Sequence, residues 1–149
     1  MIVRGLQRLG AILGDQRGAV LVEFALLAPV ILTLLFGVVQ VGLHVQNYNA
    51  IRNLAADGAR FAVVEYQQGN ELSATAIEAQ IEARGWGPKY NLNSNLLTVQ
   101  VTEPATRIAG LREMNIRITY DMPDFLAFVD TDALVIEYER PVFLVIPPA

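Results

Sequence analysis

Glu23 is the one charged residue in the 21-residue run from Ala19 to Val39. A carboxylate in so apolar a setting costs a few kcal/mol, on the order of 3, unless it is paired or lies at an interface. A chain cut between Gly18 and Ala19 would present an α-amine, cationic near neutral pH, one helical turn from that carboxylate. The pair can form within one subunit or between neighbours packed side by side with an axial offset. In the second case Glu23 sets the register of assembly. Other reactive side chains are scattered. Glu78 and Glu82 share a helix face but have no partner residue nearby in sequence, so they read as a solvated face. The stretch from Asp121 to Asp132 holds four aspartates, including Asp130 and Asp132, and oxygen-rich loops bind calcium. It lacks the glycine and terminal glutamate of an EF-hand loop, and turn-forming or helix-capping aspartates are the simpler reading. His44, the single histidine, reads as an interfacial side chain rather than a ligand or base. There is no cysteine, which excludes disulfides and thiolate chemistry. With no phosphate-cradling glycine loop, metal-spaced His/Cys cluster or nucleophile triad, the chain is expected to be no enzyme and to need no metal or cofactor.

The element that positions Glu23 is long enough to cross a bilayer, since about 20 helical residues span the ~30 Å hydrocarbon layer. A secretory signal peptide has a shorter apolar core followed closely by a small-x-small site, and Gln40 to Tyr48 offers none. The expected transmembrane helix is therefore residues 19–41, retained in the mature protein. Arg4, Arg8 and Arg17 precede it, and no Arg or Lys follows until Arg52. That bias predicts a cytoplasmic N-terminus and an extracytoplasmic remainder. Pro29 frees the carbonyl of Ala25 and predicts a bend about one third of the way along. Ala25, Pro29, Thr33 and Gly37 recur every four residues as a stripe of smaller side chains. Such a stripe is a helix-packing face or the ordinary composition of a membrane helix.

Gly18 followed by four apolar residues, then Glu23-Phe24, then Pro29 and Gly37 within an apolar helix, resembles the TadE-like pseudopilins of the Tad (Flp) type IV pilus system. The likeness is tight over Arg17 to Gly42 and follows the chain more loosely to Arg140. It implies a leader of residues 1–18 removed by a prepilin peptidase at the bond between Gly18 and Ala19. It also places Glu23 and Phe24 at the fifth and sixth mature positions. Phe24 stands where major Flp pilins usually carry Tyr, whereas Phe is common among TadE-like members. The implied role is a minor pilin or pseudopilin acting in pilus biogenesis or priming. The implied partners are the prepilin peptidase, other pilins and pseudopilins, the inner-membrane assembly platform and the lipid bilayer. The implied location is the bacterial inner membrane, with incorporation into an extracellular pilus open. The alternatives are an uncleaved single-pass component of the assembly or secretion platform, and a membrane-anchored enzyme for which no convergent groups are found.

Residues 42–149 form the expected extracytoplasmic domain, about a hundred residues and one small core. Loss of residues 1–18 removes three arginines and Asp15, taking the formal charge from −4 to −6. So acidic a domain gives no support for nucleic-acid binding. The first helix continues to about Tyr66 with Ile51, Leu54, Ala55, Gly58, Ala59 and Ala62 on an inner face, and Asp57 within reach of Arg60. A second helix is expected over Ser73–Arg84, ended by Gly85, with Trp86 anchoring the turn that follows. Alternation then predicts strands over Asn95–Thr102, Met114–Tyr120 and Ala133–Arg140. Pro141 is expected to limit pairing, leaving Val142–Ile146 as a short edge strand or tail. The fold expected is α+β and pilin-like, with a long N-terminal transmembrane-to-amphipathic helix on a small antiparallel sheet.

Overall fold

The computed structural model describes residues 16–122 and 134–145. The chain divides by contacts into two units, residues 1–39 and 40–149. Five elements follow one another: α1 (Gln16–Gln67), α2 (Ala74–Trp86), β1 (Leu97–Thr102), β2 (Leu111–Asp121) and β3 (Val135–Val145). The fold is α+β, as the change from helical to alternating periodicity predicts.

α1 is helical throughout, and Pro29 does not interrupt it. One turn after Pro29, the Thr33 hydroxyl donates to the Pro29 carbonyl at 2.8 Å. The C-terminus is closed by a Schellman arrangement. Gly69 takes φ +83°, its N–H reaches the Tyr66 carbonyl, and the Asn70 N–H reaches the Glu65 carbonyl. Glycine is needed there because an L side chain rarely adopts that φ. Ser73 then caps α2, its hydroxyl accepting from the Ala76 N–H at 3.2 Å.

α2 does not end at Gly85. It continues to Trp86, with Gly87 as its cap. Gly85 is buried within the helix, where a Cβ would lie 2.5 Å from Leu97 and 3.1 Å from Leu54. The glycine that looked like a stop is there because α2, α1 and β1 converge on it. Trp86 is half exposed, and the following turn is tied down instead by Tyr90.

The strands form an antiparallel meander in the order β1-β2-β3. Leu97, Val99 and Val101, with Met114, Ile116, Ile118 and Tyr120, face the helices as their alternation predicts. The third strand departs from expectation. It runs unbroken past Pro141, which sits opposite Asn115, to Val145, burying Val142 and Leu144. β3 lies at the sheet edge, where a missing N–H on the unpaired side costs no ladder bond. Ile51, Leu54, Ala55, Gly58, Ala59 and Ala62 of α1 all enter the core with the sheet and with Ile77 and Ile81 of α2. The acidic loop around Asp130 and Asp132 lies outside the described residues, as do residues 1–15 of the expected leader.

Candidate functional site: the apolar helix and the domain that holds its continuation

From Gly18 to Val39 every side chain of α1 is exposed except Ala28 and Gly37, which are half-buried. Fourteen large apolar residues between Val20 and Val39 stand open. Each forgoes roughly 1.5–3 kcal/mol that burial would return, so together they forgo tens of kcal/mol, several times the ~5–15 kcal/mol net stability of a domain. The run therefore belongs in lipid or against other apolar helices, and the protein is membrane-anchored.

Helix geometry puts Ala19 and Glu23 on one face, four residues and about 6 Å apart along the axis. Gly18 precedes that pair and Phe24 follows it, both exposed. Among the described residues Glu23 has no hydrogen-bond or ion-pair partner. Ala25, Pro29, Thr33 and Gly37 fall along one stripe. Because four residues turn a helix by about 400°, the stripe winds by about 40° per step, a third of a revolution from first to last. Thr33 turns its hydroxyl back onto the Pro29 carbonyl and so offers mainly its methyl to a neighbour. A Cβ added at Gly37 would meet nothing within 4 Å among the described residues.

Beyond Gln40 the same helix has a buried side. Gly58 lets α2 approach so closely that a Cβ there would lie 2.6 Å from Ile81. Asp57 does not pair with Arg60. Lys89 Nζ lies 2.5 Å and the Tyr90 hydroxyl 2.8 Å from its carboxylate, and Arg84 donates to the Asp57 carbonyl at 3.4 Å. These bonds, Lys89 first, hold the Asp57 carboxyl below the usual carboxylate range, while the same contact raises Lys89. Burial, and then the bond to Asp57, pushes the Tyr90 phenol up. The Arg84 guanidinium stacks 4.5 Å over Phe61. Together these contacts fasten α1 to the turn after α2.

Glu78 is not simply solvated. It accepts the Val101 N–H at 3.1 Å and so occupies the outer edge of β1. Sequence reading missed Glu113, which is only 4% exposed at the start of β2. Its carboxylate accepts from Arg107 Nη2 at 2.5 Å, from Nε at 3.0 and 3.2 Å, and from the Arg107 backbone N–H at 3.1 Å. That clamp holds its pKa down and straps the segment before β2 to the sheet. Glu113 stands one residue before the run that alternates cleanly, so periodicity places it in a loop. His44 is half-buried on α1. No cluster of three or more metal-ligating side chains exists among the described residues.

The family model described as TadE-like protein matches residues 18–60. Over that stretch the chain is similar to TadE-like proteins. The match covers α1 from Gly18 to Arg60 and none of the strands, and the likeness it carries is to Tad-pilus-related proteins. No curated protein and no solved structure matches the chain.

Proposed function

We propose that this TadE-like chain is a minor pilin or pseudopilin of a Tad (Flp) pilus, processed by a prepilin peptidase after Gly18 and acting in pilus biogenesis or priming through its apolar helix. The observation that carries this reading is where the family match falls. It begins at Gly18 and follows α1, the element whose exposed run from Gly18 to Val39 has apolar side chains on every side. Removal of residues 1–18 frees the Ala19 amine on the face of Glu23. The amine and carboxylate then neutralise each other within a subunit or across a staggered pair of helices. The arginines at positions 4, 8 and 17 support a cytoplasmic start, with the domain from Gln40 onward outside. The stripe of Ala25, Pro29, Thr33 and Gly37 provides the close approach to neighbouring pilins. The role is structural rather than enzymatic.

Intact-mass measurement on the full chain made in its own host, with and without the peptidase, tests this. The expected outcome is a mass loss corresponding to residues 1–18, abolished in Gly18→Leu because the larger side chain crowds the scissile bond. Unchanged processing of that variant sinks the cleavage assignment. A full-length mass in the presence of active peptidase would favour the uncleaved single-pass platform component instead.

A further inference from the structure

The two edges of the sheet are finished differently. At β1 the outward N–H of Val101 is taken by Glu78, and α2 packs alongside that strand. At β3 no described side chain or backbone group bonds the outer edge. Pro141 fixes which groups lie there. Opposite Asn115 it can give no N–H to β2, so the even-numbered residues make the ladder bonds, as the bond from the Met122 N–H to the Leu134 carbonyl confirms. The N–H groups of Glu139 and Phe143, two residues to either side of Pro141, therefore face outward.

Along this edge runs a groove whose other wall is α1. Ala56, Ala59 and Val63 form the helix side, and their small size leaves the opening. Val142 and Phe143 form the strand side, with Phe143 partly exposed. Two guanidinium groups, Arg60 and Arg140, also line it. Two other arginines that line hollows of this domain are engaged, Arg84 with Asp57 and Phe61 and Arg107 with Glu113. Arg60 and Arg140 have neither ion pair nor hydrogen bond among the described residues, although the chain as a whole is acidic. Asp57, the one carboxylate on the groove, is already held by Lys89 and Tyr90.

We propose that the groove between α1 and the free edge of β3 is a docking site for an extended, acidic segment of a partner protein. The segment lies beside β3 as a fourth strand and bonds the backbone of Glu139 and Phe143 on either side of the Pro141 gap. It places one apolar side chain over Ala56 and Ala59 and a carboxylate between Arg60 and Arg140. The gap at Pro141 keeps the paired stretch short and discourages indiscriminate strand addition, while the two cations select against basic and neutral segments. The site lies wholly within the domain from Gln40 onward and does not depend on cleavage at Gly18.

The test is selection of ten-residue peptides from a display library on the full chain in nanodiscs, followed by titration of the enriched peptides as labelled synthetic probes. The expected result is enrichment of alternating apolar sequences carrying Asp or Glu. Their affinity should fall at least tenfold on the Arg60→Glu/Arg140→Glu protein and partly on Arg60→Gln/Arg140→Gln, and a peptide with Lys in place of the acid should bind the reversed protein. Amide exchange at Glu139 and Phe143 should slow on binding. Arg60 is exposed and Arg140 half-buried, and thermal unfolding of each variant, expected to be unchanged, separates lost binding from lost folding. No enrichment, enrichment of peptides without an acid, or affinity indifferent to the double reversal overturns the proposal. Concentration-dependent self-association of the full chain that is abolished by the reversal also overturns it, since the occupant is then a second copy.

Discussion

Residues 18–39 and residues 40–67 belong to one helix and obey different rules. In the first stretch apolar side chains point in every direction, and the large ones are exposed. In the second, Ile51, Leu54, Ala55, Ala59 and Ala62 are buried while Arg52, Asn53 and Arg60 are exposed. The backbone hydrogen bonds are the same in both, so what differs is the solvent that each surface fits. A one-sided apolar face is satisfied by a sheet, and an all-round apolar surface only by lipid or other helices. Glycine shows the same division. A Cβ at Gly58 would meet Ile81 within the domain, whereas one at Gly37 would meet nothing within 4 Å among the described residues.

The largest expected contrast comes from truncating one apolar side chain in each environment. Ile81→Ala should cost the outer domain about 2–5 kcal/mol, because Ile81 is fully buried against Gly58. Leu35→Ala should leave the same unfolding curve unmoved. Chemical unfolding in detergent micelles, followed by circular dichroism, measures both. Equal losses would mean that the exposed run is coupled to the domain's core.

Adding volume sharpens the contrast from the other side. Gly58→Leu should destabilise the outer domain by about 1–3 kcal/mol or more, since α2 cannot withdraw without opening the core. Gly37→Leu and Thr33→Leu should leave stability, insertion and processing intact and weaken association with other pilins. Single cysteines at Thr33 and Gly37 should crosslink to partner subunits several-fold more readily than cysteines at Leu35 or Val38. Equal yields at all four positions would reduce the stripe to ordinary membrane-helix composition.

The two most informative carboxylates give the smallest and most specific contrast. Glu113 is held below the ordinary glutamate value of about 4.3 by Arg107. A carboxylate depressed in the folded state contributes stability that is complete above that ordinary value and is lost as pH falls through the lower, folded one. Glu113→Gln should therefore lower the unfolding midpoint at pH 7 and flatten its decline as pH falls below the ordinary glutamate value. Some slope should remain from Asp57, which is depressed by Lys89. Glu23→Gln should leave this curve unchanged, permit processing, and reduce incorporation into pili or assembly complexes. Normal incorporation would remove Glu23 from any role in register.

Periodicity was enough for much of the fold. Ile51 to Ala62 at three- and four-residue spacing, and Leu97-Val99-Val101 and Met114-Ile116-Ile118 at two, name the buried faces correctly because burial is what selects those spacings. Readings went astray where a residue's local meaning depends on distant neighbours, among them those of Pro141, Gly85 and Asp57. Pro141 breaks a central strand but not an edge one, and strand order is not written in a strand's own residues. Gly85 resembles a helix stop until Leu97 and Leu54 are seen against it. Asp57 lies one turn from Arg60, yet Lys89, 32 positions away, is brought closer by the turn after α2.

The sequence by itself determined the membrane-anchoring run, the placement of Glu23 one turn from Ala19, and the resemblance that the match over residues 18–60 supports. Those properties are local, set by helix rise, side-chain transfer energies and a short motif. Only tertiary structure decided that Glu113 is clamped by Arg107, that Glu78 closes the edge of β1, and that Arg60 and Arg140 line one groove along the edge of β3. Each joins groups from different elements, and the attraction or vacancy between them exists only after the apolar faces have brought those elements together.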